Sequence, residues 1–73
     1  MTRVVIYERP GCYQCDDARA VLDRVGEPYR SVDIESDDEL FKRYLERIPV
    51  VVVDGEEAFD YLIDEAALRA RLQ

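Results

Sequence analysis

Two hydrophobic periods alternate along the chain. Val4-Val5-Ile6-Tyr7 is a continuous apolar run rich in β-branched side chains, the pattern of a strand covered on both faces. Arg9-Pro10-Gly11 breaks it. The spacing then becomes helical. Ala18, Val21, Leu22 and Val25 recur at i, i+3, i+4 and i+7, while Asp16, Asp17, Arg19, Asp23 and Arg24 occupy the other faces, which predicts a helix over Cys12–Val25. Gly26 supplies a left-handed stop and Pro28 forbids continuation. Tyr29–Ile34 reads as a second strand, with Tyr29 out of phase with Val32 and Ile34.

Ser36-Asp37-Asp38-Glu39 has the form of a capping box, in which Ser36 accepts from the Glu39 amide and Glu39 reaches back. The helix it opens carries Leu40, Phe41, Tyr44, Leu45 and Ile48. Its acids lie in the first turn and Lys42, Arg43 and Arg47 later, as the helix dipole favours. Pro49 stands at the head of Val50–Val53, a position a strand tolerates. Asp54-Gly55 is a two-residue hairpin signal, so this strand should fold back antiparallel onto Glu57–Tyr61. Asp64 then caps a last helix to Leu72, with Ile63 and Leu68 spaced as a hydrophobic staple. The order is β-α-β-α-β-β-α. It predicts an α/β domain with a four-stranded mixed sheet and helices on both faces: two right-handed crossovers in a mainly parallel arrangement, plus an antiparallel edge strand.

Length and composition narrow this further. At 73 residues, 48% of them hydrophobic, the chain is expected to form one domain over residues 1–73. Seventeen acids against ten bases give a net charge of −7, which repels phosphate and makes nucleic acid and anionic membrane surfaces poor partners. The chain has no histidine, which excludes a histidine base, a Cys/His nucleophile pair and histidine-ligated zinc. No apolar run is long enough for a signal peptide or a membrane span, so a cytoplasmic address is expected. There, two cysteines read as catalytic or metal-binding rather than as a permanent staple. The acidic runs Asp37–Glu39 and Glu56-Glu57 read as solvated, and the tyrosines at 7, 29, 44 and 61 as packing residues with hydroxyls at the surface.

Cys12-Tyr13-Gln14-Cys15 is the constellation with evident chemistry. It opens a helix directly after a strand, the setting in which C-x-x-C reads as a redox motif. Unpaired amides and the positive dipole end of a helix stabilise a thiolate, and at such sites a thiol's pKa falls from about 8.5 into the range of about 3.5–7.5. The two-residue spacer sets Cys15 one turn beyond Cys12, within reach of a reducible disulfide. Cys12, the more exposed, is the expected nucleophile and Cys15 the resolving thiol. Arg9 adds positive potential, whereas Asp16 and Asp17 oppose a thiolate nearby. Tyr13, between the cysteines, is a candidate substrate contact. No residue stands out as a base for Cys15, Glu8 lying only at the end of its strand.

These residues resemble the glutaredoxins of the thioredoxin superfamily, and most closely its short glutaredoxin-like members. The likeness covers nearly the whole chain and rests on Tyr7–Cys15, Val32-Asp33-Ile34 and Arg47–Gly55. It implies a thioredoxin-like fold with Cys12 as nucleophile, Cys15 as its disulfide partner, and Arg9 as the basic residue that helps hold the glycyl carboxylate of glutathione. Ile48-Pro49 then matches the residue and cis-proline that face the site, the Ile48 backbone pairing with substrate; a cis X–Pro bond costs only about 0.5–1 kcal/mol over trans. The spacer is Tyr13-Gln14 where glutaredoxins typically have Pro-Tyr. Phe59–Asp64 also lacks their glycine pair and the acidic residue that hold the γ-glutamyl end. The resemblance therefore carries dithiol chemistry further than glutathione binding.

The expectation is a glutaredoxin-like thiol–disulfide oxidoreductase, monomeric and without a resident cofactor or metal. It would act on disulfide-containing proteins or small-thiol mixed disulfides, with glutathione, another small thiol or a reductase as electron donor. Two alternatives stand beside it. One is a binding module in which two chains share a metal or an iron–sulfur cluster through their cysteine pairs; the other is a thioredoxin-like interaction domain without redox turnover.

Overall fold

In the computed structural model, which describes residues 2–73, β1 (Val4–Glu8) runs beside β2 (Tyr29–Asp33) in parallel, and α1 (Tyr13–Val25) joins them. A short 3₁₀ turn over Ile34–Ser36 leads into α2 (Asp38–Tyr44), followed by the hairpin of β3 (Val50–Val53) and β4 (Glu56–Asp60) and by α3 (Glu65–Leu72). The sheet order is β2-β1-β3-β4. This is the predicted α/β architecture with a four-stranded mixed sheet, but both strands of the hairpin run opposite to expectation: β3 is the reversed strand, and the edge strand β4 runs with β1 and β2. β3 is antiparallel to β1, so β1–β2 is the parallel neighbouring pair among the described strands. β2 ends at Asp33, opposite Glu8, and β3 begins at Val50, opposite Tyr7, so the chain re-enters the sheet at the end it left and β3 runs back along β1.

Strand alternation divides the core in two. Val4, Ile6, Val51 and Val53 face α1 and α3 and bury Ala18, Leu22 and Leu68 against them. Val50 lies on the other face with Ile34 and Tyr44, and Tyr7, Leu40, Ile48 and Val52 pack around this smaller cluster. The β1–β3 register sets like with like: Ile6 opposes Val51, and Val5 opposes Val52. Because α2 is short, β1 is not covered on both faces as its apolar run suggested. Val5, Tyr7, Val52 and Tyr44 instead line an open groove of about 780 Å³. Tyr44 is 4% exposed and stacks on Tyr7 with ring centroids 4.7 Å apart, its hydroxyl donating to Glu57 at 3.3 Å. Burial above all pushes the Tyr44 phenol above its ordinary 10.0.

Local signals are used largely as the sequence suggests, with shifts at the ends. Gly26 closes α1 at φ 82°, its amide donating to the Leu22 carbonyl at 3.0 Å. Asp54 and Gly55, at φ 51° and 84°, form the mirror-image hairpin turn that matches strand twist. Asp64 caps α3 by accepting from the Ala67 amide at 3.2 Å, and Ile63 packs against the cluster that holds Leu68. The expected capping box is replaced. Ser36 ends the 3₁₀ turn with its hydroxyl donating to the Asp33 carbonyl at 2.6 Å, so Asp37 caps α2 instead and accepts from the Glu39 amide at 2.8 Å. β2 ends one residue before Ile34, which turns inward as a core residue, and β4 is shifted one residue towards the turn. No helix among the described residues is long and apolar enough to cross a membrane.

Surface ion pairs give the fold a predictable acid limit. Hydrogen bonding from Arg3 lowers the Asp54 carboxyl below 3.8, and bonding from Arg47 lowers Glu57 below 4.5. Arg24 and Arg69 together lower Glu65 below 4.5. A carboxylate depressed in the folded state contributes stability above its unfolded pKa and loses it as pH falls through the folded value. Urea midpoints are therefore expected to hold level from neutral pH down to about pH 5 and to decline below about pH 4. A midpoint that rises on acidification would contradict these pairings.

Candidate active site

Strand register brings four loops to one end of the sheet. Glu8 at the end of β1 opposes Asp33 at the end of β2, Tyr7 opposes Val50 at the start of β3, and Val50 opposes Asp60 at the end of β4. The segments that leave or enter these positions carry Arg9–Cys12, Glu35, Leu45–Pro49 and Tyr61-Leu62. A cleft of about 430 Å³ opens between them. It is lined by the Arg9–Cys12 segment, Gln14, Leu45, Glu46, Ile48 and Tyr61.

Cys12 is the N-cap of α1, with φ −86° and ψ 114°. Its Sγ accepts a hydrogen bond from the Cys15 backbone amide at 3.1 Å. A helix start leaves its first amides without intrahelical partners, and here one of them is aimed at sulfur. Cys12 is half-buried at the cleft, whereas Cys15 is fully buried in the first turn beneath it. The two are joined by a disulfide, with Cα atoms 5.1 Å apart, inside the span such bonds require. Cys12 is thus the sulfur that another molecule can approach.

The charges around the pair are mostly committed. Arg19 pairs with both Glu8 and Asp16, so neither carboxylate is left free beside the helix start. Arg9 lines the cleft, but its guanidinium lies 2.7 Å from Glu35 and 5.6 Å above the Phe41 ring. The positive potential expected from Arg9 is accordingly shared with a carboxylate. The Ile48–Pro49 bond is cis; Ile48 borders the cleft and Pro49 is buried behind it. Tyr13 projects into solvent at 78% exposure, beside Cys12 but outside the cleft lining. Among the described residues, no group of three or more Cys, Asp or Glu side chains is placed to hold a metal ion.

Six lining residues, Pro10, Gly11, Gln14, Leu45, Glu46 and Tyr61, are not among the site residues expected from sequence. Gln14 lies inside the motif itself. Leu45 falls at the apolar period of α2, yet the helix ends at Tyr44, and Leu45 is left 38% exposed at the cleft beside Glu46. Tyr61 was expected to be a packing residue. It instead leaves β4 at φ 64°, is 51% exposed, and accepts from Gln14 Nε2 at 3.4 Å. Its amide donates to both the Arg47 and Pro49 carbonyls at 2.9 Å, which ties the tyrosine to the approach to β3. No sequence signal marked it, because the hairpin reading placed Tyr61 as the last residue of the strand that in fact ends at Asp60.

A mixed sheet of this order, with a bonded cysteine pair at the mouth of the first helix and a cis-proline before the third strand, defines a thioredoxin-fold dithiol protein. The chain belongs to the glutaredoxin-like domain family (DUF836), whose model matches residues 3–73. Among solved structures it is similar to protein XcR50 from X. campestris, at 34% identity over 94% of this chain and 93% of that one, with a TM-score of 0.83. It also resembles protein Ne2328 from Nitrosomonas europaea, at 26% identity over 97% and 91% of the two chains, TM-score 0.83. A glutaredoxin from Brucella melitensis is 28% identical over 97% of this chain and 82% of its own, TM-score 0.66. No curated protein sequence matches the chain.

Proposed function

We propose that the protein is a thiol–disulfide oxidoreductase that cycles Cys12 and Cys15 between dithiol and disulfide. The observation that carries this reading is the Cys15 amide donating to Cys12 Sγ at 3.1 Å, with Cys12 at a cleft and Cys15 buried beneath. An amide hydrogen bond and the helix dipole both favour sulfur as the anion, which is the attacking form.

In the reducing direction, the Cys12 thiolate attacks one sulfur of a substrate disulfide RS–SR. A Cys12–SR bond forms, the S–S bond breaks, and one RS⁻ leaves and takes a proton from water. Cys15 loses its proton to solvent and attacks Cys12 Sγ. The Cys12–Cys15 bond forms and the second RS⁻ leaves. The protein gives up two electrons and the substrate becomes two thiols. A dithiol reductase or two equivalents of a low-molecular-weight thiol returns the electrons by the reverse exchange. The substrates are proteins or small molecules that carry disulfides, and a reducing compartment such as the cytoplasm suits the cycle.

Equilibration in graded ratios of reduced and oxidised dithiothreitol tests the reading. The cysteines are expected to titrate as one two-electron couple, followed by the mass shift of thiol alkylation. Thiols that stay reduced at every ratio, or a bond that no dithiol opens, would remove it.

A further inference from the structure

We propose that Glu35 sets the charge preference of the Cys12 cleft by withholding Arg9 from anionic substrates; the inference rests on the oxidoreductase reading above. Among the described residues, Arg9 is the one cation in the cleft lining. Its Nη2 lies 2.7 Å from Glu35 Oε2, and its guanidinium is backed by the Phe41 ring. Sheet register makes this pairing. Glu8 opposes Asp33, so Arg9, next after Glu8, and Glu35, two beyond Asp33, emerge at the same end of neighbouring strands. Asp33 then fixes the turn by accepting from the Glu35 amide at 2.8 Å.

The nearby cations do not replace Arg9: Lys42 and Arg43 on α2 have no ion pair among the described residues, but they lie outside the cleft lining. Arg19 is taken by Glu8 and Asp16, and Arg47 by Glu57 and Asp60. Glu46 lines the cleft and Asp17 lies on the exposed side of α1, and neither has an ion pair among the described residues. A carboxylate-bearing disulfide thus meets unpaired acids and an Arg already satisfied by an internal carboxylate. A neutral or cationic disulfide meets neither cost. The four large hydrophobic side chains exposed among the described residues are Tyr13, Leu45, Tyr61 and Leu62, all on segments that converge on the cleft. The preferred substrate is therefore a disulfide flanked by apolar or basic groups, and Glu35 is a specificity-determining residue rather than a catalytic one. Selectivity here is a difference between two affinities, part of it repulsive.

The test oxidises fully reduced protein in single turnover with glutathione disulfide (anionic), hydroxyethyl disulfide (neutral) and cystamine (cationic). Rates are read by acid quench and mass spectrometry, and each is divided by the rate of that disulfide with a simple thiol. Wild type is expected to rank cystamine first and glutathione disulfide last. Glu35→Gln should raise the glutathione-disulfide rate relative to the hydroxyethyl rate about fivefold at low ionic strength, the scale of one exposed ion pair. The gain should shrink in high salt and vanish in the double variant Glu35→Gln/Arg9→Gln. An unchanged ratio in Glu35→Gln, or an equal gain without Arg9, overturns the inference while the oxidoreductase reading stands. A protein that oxidises with none of the three disulfides overturns both.

Discussion

Replacing Cys12 with serine is expected to abolish disulfide reduction, whereas replacing Cys15 with serine should leave a protein that captures substrate and cannot release it. The asymmetry follows from placement. Cys12 is the helix cap at the cleft, and its sulfur receives the Cys15 amide; Cys15 is fully buried one turn deeper. A serine hydroxyl at 12 forms no bond to sulfur that could carry the exchange, and the thiol left at 15 is shielded from substrate. Turnover therefore falls to the uncatalysed level. With Cys12 kept and Cys15 removed, the first exchange proceeds and the second has no thiol to drive it. Intact-mass measurement after mixing with a small disulfide, without added thiol, should show a stable adduct on Cys12 in Cys15→Ser and none in Cys12→Ser. An adduct on Cys15 in the Cys12→Ser variant would reverse the assigned roles. Continued turnover in Cys12→Ser would end the dithiol mechanism.

The largest effect on stability is expected from Leu22→Ala. Leu22 has no exposed surface and sits in the cluster of Val4, Ile6, Val51 and Leu68, so it joins α1, the sheet and α3. Truncating a fully buried leucine costs about 2–5 kcal/mol in lost transfer energy and residual cavity. A domain of 73 residues has total stability on the order of 5 kcal/mol. The variant should lose at least about 10 °C in melting temperature, or be largely unfolded at room temperature. Leu62→Ala is the matched control. Leu62 is 70% exposed, and its truncation should change stability by no more than about 0.5 kcal/mol. Chemical denaturation of the two variants side by side measures the contrast. Equal losses would mean that the core is not centred where α1 and α3 meet the sheet.

The local elements and the cysteine pair at the helix mouth could be read from the chain because their causes are local. Helical periodicity in Ala18–Val25, the Gly26 stop, the Asp54-Gly55 turn and the Asp64 cap each act over a few residues, and each is found in the fold. The same holds for C-x-x-C at a helix mouth, because both the amides and the spacing belong to one segment. What failed was decided by competition between segments. Ser36 lost the cap to Asp37 because a 3₁₀ turn intervened, and Tyr61 left the packing set because β4 ended one residue early. The direction of β3 was set by the end of the sheet to which the connection from β2 returned, a matter of tertiary placement that no residue type along the chain specifies. The state of Arg9 is the clearest case. Its charge is written in the chain, but its partner Glu35 lies in the turn just past a neighbouring strand, so only sheet register could reveal that the charge was already matched. Sequence determined which groups could act, because chemistry and short-range geometry reside in the residues themselves; tertiary structure decided which groups meet, because pairing across the sheet depends on where distant segments come to rest.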